Sequence, residues 1–183
     1  MQPTVALGLS SGETNSLIAF GAWQDADGLM GTIGESGMYD RDLAGEFRTA
    51  RKAWNEKVPI AWETWRLRAS AASVRDLCRP EPRCDMTIIY SPQDVVISGE
   101  AAACQRVIKR LGSAAIRVPH DLTVHSPAMR PYEATWHKLH FRKTKAPKGI
   151  RFYANAINGA YEVSADSAAN MLTGQAIAPI DFP

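Results

Sequence analysis

The chain has 183 residues, 45% of them hydrophobic and 22% charged, with 21 Lys and Arg against 19 Asp and Glu for a net charge of +2. That length and apolar content suit one domain, or one carrying a small inserted unit. The near-balanced charge argues against a dedicated nucleic-acid binder, which gathers a basic excess on one face. The longest apolar stretch, Leu17 to Trp23, is too short for a membrane span, and Met1-Gln2-Pro3-Thr4 lacks the pattern of a secretory signal. Three cysteines, Cys78, Cys84 and Cys104, are spaced for neither a zinc site nor a disulfide framework, which points to a cytoplasmic setting.

Thr4-Val5-Ala6-Leu7 reads as a strand buried on both faces, followed by the glycine-flanked turn Gly8 to Glu13 and a helix reaching Trp23. Asp25 is placed to cap a second helix to about Ile33, although Gly28, Gly31 and Gly34 weaken it by about 1 kcal/mol each. Leu43, Phe47 and Ala50 recur at helical spacing, and Trp62 to Leu77 does not discriminate between strand and helix. Strands at Met86–Tyr90 and Val95–Ser98, a helix at Glu100–Leu111 stopped by Gly112, and a strand at Ala114–Val118 follow. This order predicts a small ferredoxin-like α+β subdomain over 62–125, inserted between core segments 1–61 and 126–183. Beyond it, helices are expected at Pro127–Leu139 and Ser164–Leu172, with strands at Arg151–Ala154 and from Ile180. The basic residues Lys138, Arg142, Lys143, Lys145, Lys148 and Arg151 cluster in and around one loop, which suits a solvated surface or a docking site for an acidic partner. Trp54, Trp62 and Trp65 read as core.

Gly8-x-Ser10-x-Gly12 between a strand and a helix is the context in which a serine nucleophile is held in a sharp elbow. A helix starting at Ser11 turns its free N–H groups toward a developing oxyanion. The serine needs a base. Of four histidines, His125 in Val124-His125-Ser126-Pro127 lies where a side chain reaches a cleft. His120 is the rival, and His137 and His140 are expected to be solvated.

The segment Ala6-Leu7-Gly8-Leu9-Ser10-Ser11-Gly12-Glu13, continuing through Leu17 to Trp23, resembles the nucleophile segment of malonyl-CoA:acyl carrier protein transacylases and polyketide synthase acyltransferase domains. Three further stretches match in the family's order. They are Tyr90-Ser91-Pro92-Gln93-Asp94-Val95-Val96-Ile97-Ser98-Gly99, Val124-His125-Ser126-Pro127-Ala128-Met129, and Ala178-Pro179-Ile180-Asp181-Phe182. With Leu9, Gly21-Ala22-Trp23 and Glu35-Ser36-Gly37, the chain looks most similar to the acyltransferase subunit of bacterial omega-3 polyunsaturated fatty acid synthases.

The resemblance implies an α/β fold: an α/β-hydrolase-like parallel-sheet core with the ferredoxin-like insert. It implies Ser10 as nucleophile, His125 as base and then acid, the Ser11 N–H in the oxyanion hole, and the Ala178 carbonyl orienting the histidine. The implied activity is ping-pong transfer of an acyl group from acyl-CoA to the phosphopantetheine thiol of an acyl carrier protein, within a fatty acid or polyketide synthase, with no metal or bound cofactor. Leu9 replaces the family's histidine, and Glu35 aligns near its carboxylate-binding arginine, which argues against malonyl selectivity. Leu122-Thr123-Val124 matches neither common extender signature, so Leu9, Glu35 and Val124 are the selectivity candidates. Two other readings stay open: a serine thioesterase or esterase, and a catalytically silent docking domain of a synthase. Only seven residues precede Gly8 and the last strand is cut short at Pro183, so an incomplete core and weak turnover without flanking sequence are expected.

Overall fold

The computed structural model describes residues 3–182. Met1, Gln2 and Pro183, on which the reading of the two chain ends partly rests, lie outside the described residues. Strand β1 (Val5–Ala6) leads into helix α1 (Ser11–Ala19). Helix α2 (Ala26–Ser36) is capped by the Asp25 carboxylate, which accepts from Gly28 N at 2.9 Å, and it stops at Gly37 with φ 67°. A π-helical turn (Met38–Asp42) and the short helix α3 (Arg48–Ala53) stand where the Leu43/Phe47/Ala50 spacing predicts one longer helix. Phe47, at φ 47°, is the break between them.

The ambiguous stretch after Trp62 splits into strand β2 (Trp62–Leu67) and helix α4 (Ala71–Cys78). Then come β3 (Cys84–Ser91), β4 (Asp94–Glu100), α5 (Ala101–Leu111) and β5 (Ala115–Arg117). A β-α-β-β-α-β run results. Its strands lie in the order β5-β2-β4-β3, all antiparallel, with Trp65 opposite Ile97 and Met86 opposite Ile97. Helices α4 and α5 cover one face, where Leu67, Val74, Ile97, Cys104 and Val107 form a dry core. The three thiols meet there. Cys84 and Cys104 Sγ stand 3.6 Å apart as free thiols, and the hydrogen bonds of Cys78 to Cys84 and of Cys84 to Cys104, reinforced by burial, hold the Cys78 and Cys84 pKa values well above the ordinary range.

The remainder of the chain builds a second layer. A 3₁₀ turn (Pro127–Tyr132) and α6 (Glu133–His140) divide the single helix expected from Pro127. Strands β6 (Arg151–Ala154) and β7 (Gly159–Tyr161) precede α7 (Ala165–Ile177), whose Ser164 cap is reciprocated by Ser167. Strand β6 pairs parallel with β1 and antiparallel with β7, giving a three-stranded sheet in the order β1-β6-β7. Two expectations are corrected here. Strand β1 is not buried on both faces, because only Ala6 is covered and Val5 and Leu7 are 48% and 55% exposed. The last strand, β8 (Ile180–Asp181), which the sequence places in the core segment 126–183, instead runs parallel to β3 at the edge of the subdomain sheet, with Ile88 opposite Ile180. Among the described residues no helix is long and apolar enough to cross a membrane.

Candidate active site

The site begins with what Gly8 permits. A Cβ there would overlap the backbone of Gly12, so only glycine lets the strand end pass this close to the first turn of α1. Gly12 N donates to Leu9 O at 2.9 Å and Glu13 N to Ser10 O at 3.0 Å, closing the elbow. Ser10 is pushed to φ 55°, ψ −122°, outside the regions a side-chain-bearing residue prefers. It occupies the N-cap position yet makes no capping bond, because its Oγ is turned away to His125 Nε2 at 2.7 Å. A serine that forgoes a cap worth about 0.5–2 kcal/mol is committed elsewhere. Ser11 is the first residue of α1, so its N–H has no intrahelical acceptor.

His125 is 6% exposed and holds φ 62°, so both members of the pair sit in strained backbone. The last turn of α7 fixes it. Gln175 O is one of the last four carbonyls of α7, which have no intrahelical donor, and Pro179 beyond it has no N–H to offer. The orphan carbonyl instead accepts from His125 Nδ1 at 2.7 Å, and the next one, Ala176 O, accepts from His125 N at 2.7 Å. A carbonyl on Nδ1 forces the proton there and leaves Nε2 as acceptor for the Ser10 hydroxyl. This corrects the expectation for Ala178. The helix has ended at Ile177, Ala178 is extended (φ −140°, ψ 157°), and the orienting carbonyl belongs to Gln175 three residues earlier. The Gln175 side chain also donates from Nε2 to Ser10 O at 3.3 Å, binding base and nucleophile to one residue. The signal available in the sequence was Pro179 closing a helix, which leaves open carbonyls in the turn before it. Burial lowers the His125 pKa below the ordinary histidine value, opposed by the Gln175 carbonyl, so the ring is a neutral base. Thr123 behind it is locked by Thr49 Oγ1 at 2.5 Å and by Leu43 O, which accepts from Thr123 N at 3.1 Å.

Beneath the elbow, Glu13 is 4% exposed. Its Oε1 accepts from Asn155 N at 2.7 Å and from Asn155 Nδ2, which also donates to Gly8 O at 2.9 Å. The end of β6 is thereby tied to the turn that carries Ser10. Burial raises the Glu13 carboxyl to about 7 against those hydrogen bonds, and Glu13 Oε2 and Asn155 Oδ1 stay unpartnered.

Two cavities meet at the pair, sharing Ser10, Leu122, Val124 and His125 as a common wall. One, of about 390 Å³, lies under α1, α2, α6 and α7, and the other, of about 340 Å³, faces β2–β4. Val124 lines both. Leu9 and Glu35, the other selectivity candidates, line neither. Glu35 is exposed on α2 because it stands about 200° around the helix from Ile33, which does face the cavity. His120 is exposed and borders only the second cavity. His140, expected in solvent, is 2% exposed, because α6 turns it inward against the Trp136 ring at 4.4 Å. Among the described residues no group of three His, Cys, Asp or Glu side chains is placed to hold a metal ion.

The fold matches part of the fold of acyltransferase domains. The whole chain superposes with TM-score 0.77 on 56% of the malonyl-CoA:acyl carrier protein transacylase of Helicobacter pylori, at 18% identity. It matches equally, at TM-score 0.77 and 18% identity, 57% of a chain from a type II polyketide synthase acyl-carrier protein in complex with its malonyl-transacylase. For the acyltransferase domain of the second salinomycin polyketide synthase module the TM-score is 0.71, at 22% identity, over 99% of this chain and 39% of that one. In sequence, the chain is 29% identical over 147 residues to a polyunsaturated fatty acid synthase subunit of Thraustochytrium sp., a match to 75% of this chain and 7% of that protein. The chain thus spans only part of the length of each of these relatives. No protein-family model matches the chain. The resemblance to acyltransferases read in the sequence is supported by these likenesses.

Proposed function

We propose that the chain is an acyl carrier protein S-acyltransferase of polyunsaturated fatty acid or polyketide synthesis, acting through an acyl-Ser10 intermediate. The observation that carries this reading is the 2.7 Å Ser10–His125 contact at a strained elbow, with His125 Nδ1 committed to a backbone carbonyl. Ser10 Oγ attacks the thioester carbonyl carbon while His125 Nε2 takes its proton, and the oxyanion leans on the Ser11 N–H. The C–S bond then breaks, and His125 returns the proton to the departing thiolate. In the second half, a phosphopantetheine thiol gives its proton to His125 and attacks the ester, and Ser10 recovers a proton as its C–O bond breaks. Every proton passes through one imidazole, and no metal or bound cofactor is needed.

The acceptor is an acyl carrier protein, in the company of other synthase subunits in the cytoplasm. The exposed basic loop containing Lys143, Lys145 and Lys148 suits the docking of an acidic carrier. In this reading 62–125 is the ferredoxin-like subdomain, supported by the β5-β2-β4-β3 order, and 1–61 with 126–183 supply an α/β-hydrolase-like core whose last strand, β8, crosses to the edge of the subdomain sheet. Incubation with radiolabelled acyl-CoA and then a phosphopantetheinylated carrier tests the proposal. Label retained on Ser10 and passed to the carrier supports it. Hydrolysis alone makes the chain a thioesterase or esterase, and no label makes it a silent docking domain.

A further inference from the structure

The 390 Å³ cavity opening at Ser10 has the room of about a dozen water molecules, at ~30 Å³ each. Its walls away from the Ser10–His125 pair are chiefly Met30, Ile33, Leu122, Trp136 and Leu172, with Thr14 and Asn15 as uncharged polar side chains among them. No lysine or arginine side chain lines it among the described residues, and Glu35, a selectivity candidate by sequence, faces solvent. The titratable side chains that do line it are His125, His140 and Tyr39. His140 Nδ1 donates to Trp136 O at 2.8 Å, which leaves Nε2 unprotonated and turns a hydrogen-bond acceptor, not a cation, toward any occupant. Burial keeps that ring neutral, and the nearby Arg142 and His137 reinforce the effect. Burial also holds the Tyr39 phenol in its protonated form. A carboxylate entering here would lose its water and find no opposite charge.

We propose, resting on the acyl-transfer reading above, that this cavity is the acyl pocket and that it selects an uncharged, apolar acyl group over a dicarboxylic one such as malonyl. Apolar chain atoms displace water from apolar walls, whereas a terminal carboxylate is desolvated with no counter-charge beside it. The second cavity has an apolar wall of Ile88, Val96 and Val118 broken by Thr64, Thr87, Ser98 and Arg66, whose guanidinium is already paired with Asp94, and in this proposal it takes the carrier arm of the thioester.

Binding separates this proposal from the reading it rests on. The Ser10→Ala chain, which cannot be acylated, is titrated with hexanoyl-CoA, acetyl-CoA and malonyl-CoA. Hexanoyl-CoA is expected to bind at least about tenfold tighter than malonyl-CoA, with acetyl-CoA between. Met30→Arg in the same background, at a position 56% exposed and so tolerant of a long side chain, should narrow or invert that ratio by supplying the missing cation. Equal or tighter binding of malonyl-CoA, or no detectable binding of any of the three, overturns the proposal. Acylation of the unsubstituted chain is then read independently. A discriminating Ser10→Ala chain whose parent never carries label keeps the pocket and removes the transferase. A labelled parent whose Ser10→Ala form prefers malonyl-CoA does the reverse.

Discussion

Ser10, His125 and Gln175 divide the work of the site unequally. Ser10→Ala is expected to abolish acyl-enzyme formation, measured by intact mass after acyl-CoA exposure. Ser11→Ala should keep most of it, because only its backbone N–H is used. His125→Ala should slow acylation by about 10²–10⁴, the usual worth of a general base, and His120→Ala by far less. The depressed pKa of His125 has two consequences of one sign. The acid limb of kcat/KM should fall below the ordinary histidine value of about 6.5, because the base stays neutral there. Protonation below that value also favours the unfolded chain, so this residue costs stability as pH falls. An acid limb above 6.5 would contradict the burial argument. Pro179→Ala tests the origin of the orienting carbonyl. It lets α7 run on past Ile177, where the new N–H four residues after Gln175 competes with His125 Nδ1 for that carbonyl. A drop in kcat with little change in KM or melting temperature is expected.

At the scale of elements, the β1–α1 elbow and the end of β6 act as one unit through Gly8, Glu13 and Asn155. Gly8→Ala drives a methyl into the Gly12 backbone and should cost about 1–3 kcal/mol by denaturant titration, along with the acyl-enzyme. Glu13 gives the fold a pH dependence of its own. Its pKa is about 4.5 when unfolded and about 7 when folded, so between these values the folded state keeps a proton that the unfolded state releases. Stability from this group is therefore present below pH 4.5 and lost as pH rises through 7, by about 3 kcal/mol in all. Asp85, raised by burial to about 6, adds a slope of the same sign. Glu13→Gln should flatten the stability profile between pH 5 and 8, and an unchanged slope would assign it to other groups. Much of this unit was legible in the sequence, because Gly8 and Gly12 are dictated by the turn itself. Asn155 was not: it lies 142 residues from Glu13, and only the parallel β1–β6 pairing brings them together.

Across the whole molecule, the chain leaves α7 with His125 in its grip and goes directly into β8, on the edge of the other sheet. Ile180 is fully buried there. Ile180→Ala should cost about 2–5 kcal/mol and lower activity, since it loosens the strand that follows the orienting turn. Near-UV and far-UV signals should still melt together if the two sheets are one cooperative unit. The sequence order of helices and strands over 84–118 was readable from alternation and from the Gly112 stop. The fate of Ile180 was not, because a two-residue strand carries no period to say which sheet it joins. Glu35 failed for a related reason: alignment supplies a position along the chain, while access to the cavity depends on the angle around α2.

The Gln175 carbonyl has a genetic consequence. A catalytic base steadied by an aspartate can be disabled by any codon change that removes the aspartate, but a peptide oxygen survives every missense change at its own codon. A saturation scan of this chain should therefore show sharp intolerance at Ser10 and His125 with no third side chain of equal severity. The missing third signal should appear displaced, as sensitivity at Pro179 and at proline insertions along α7, where a substitution alters which carbonyls the helix leaves open.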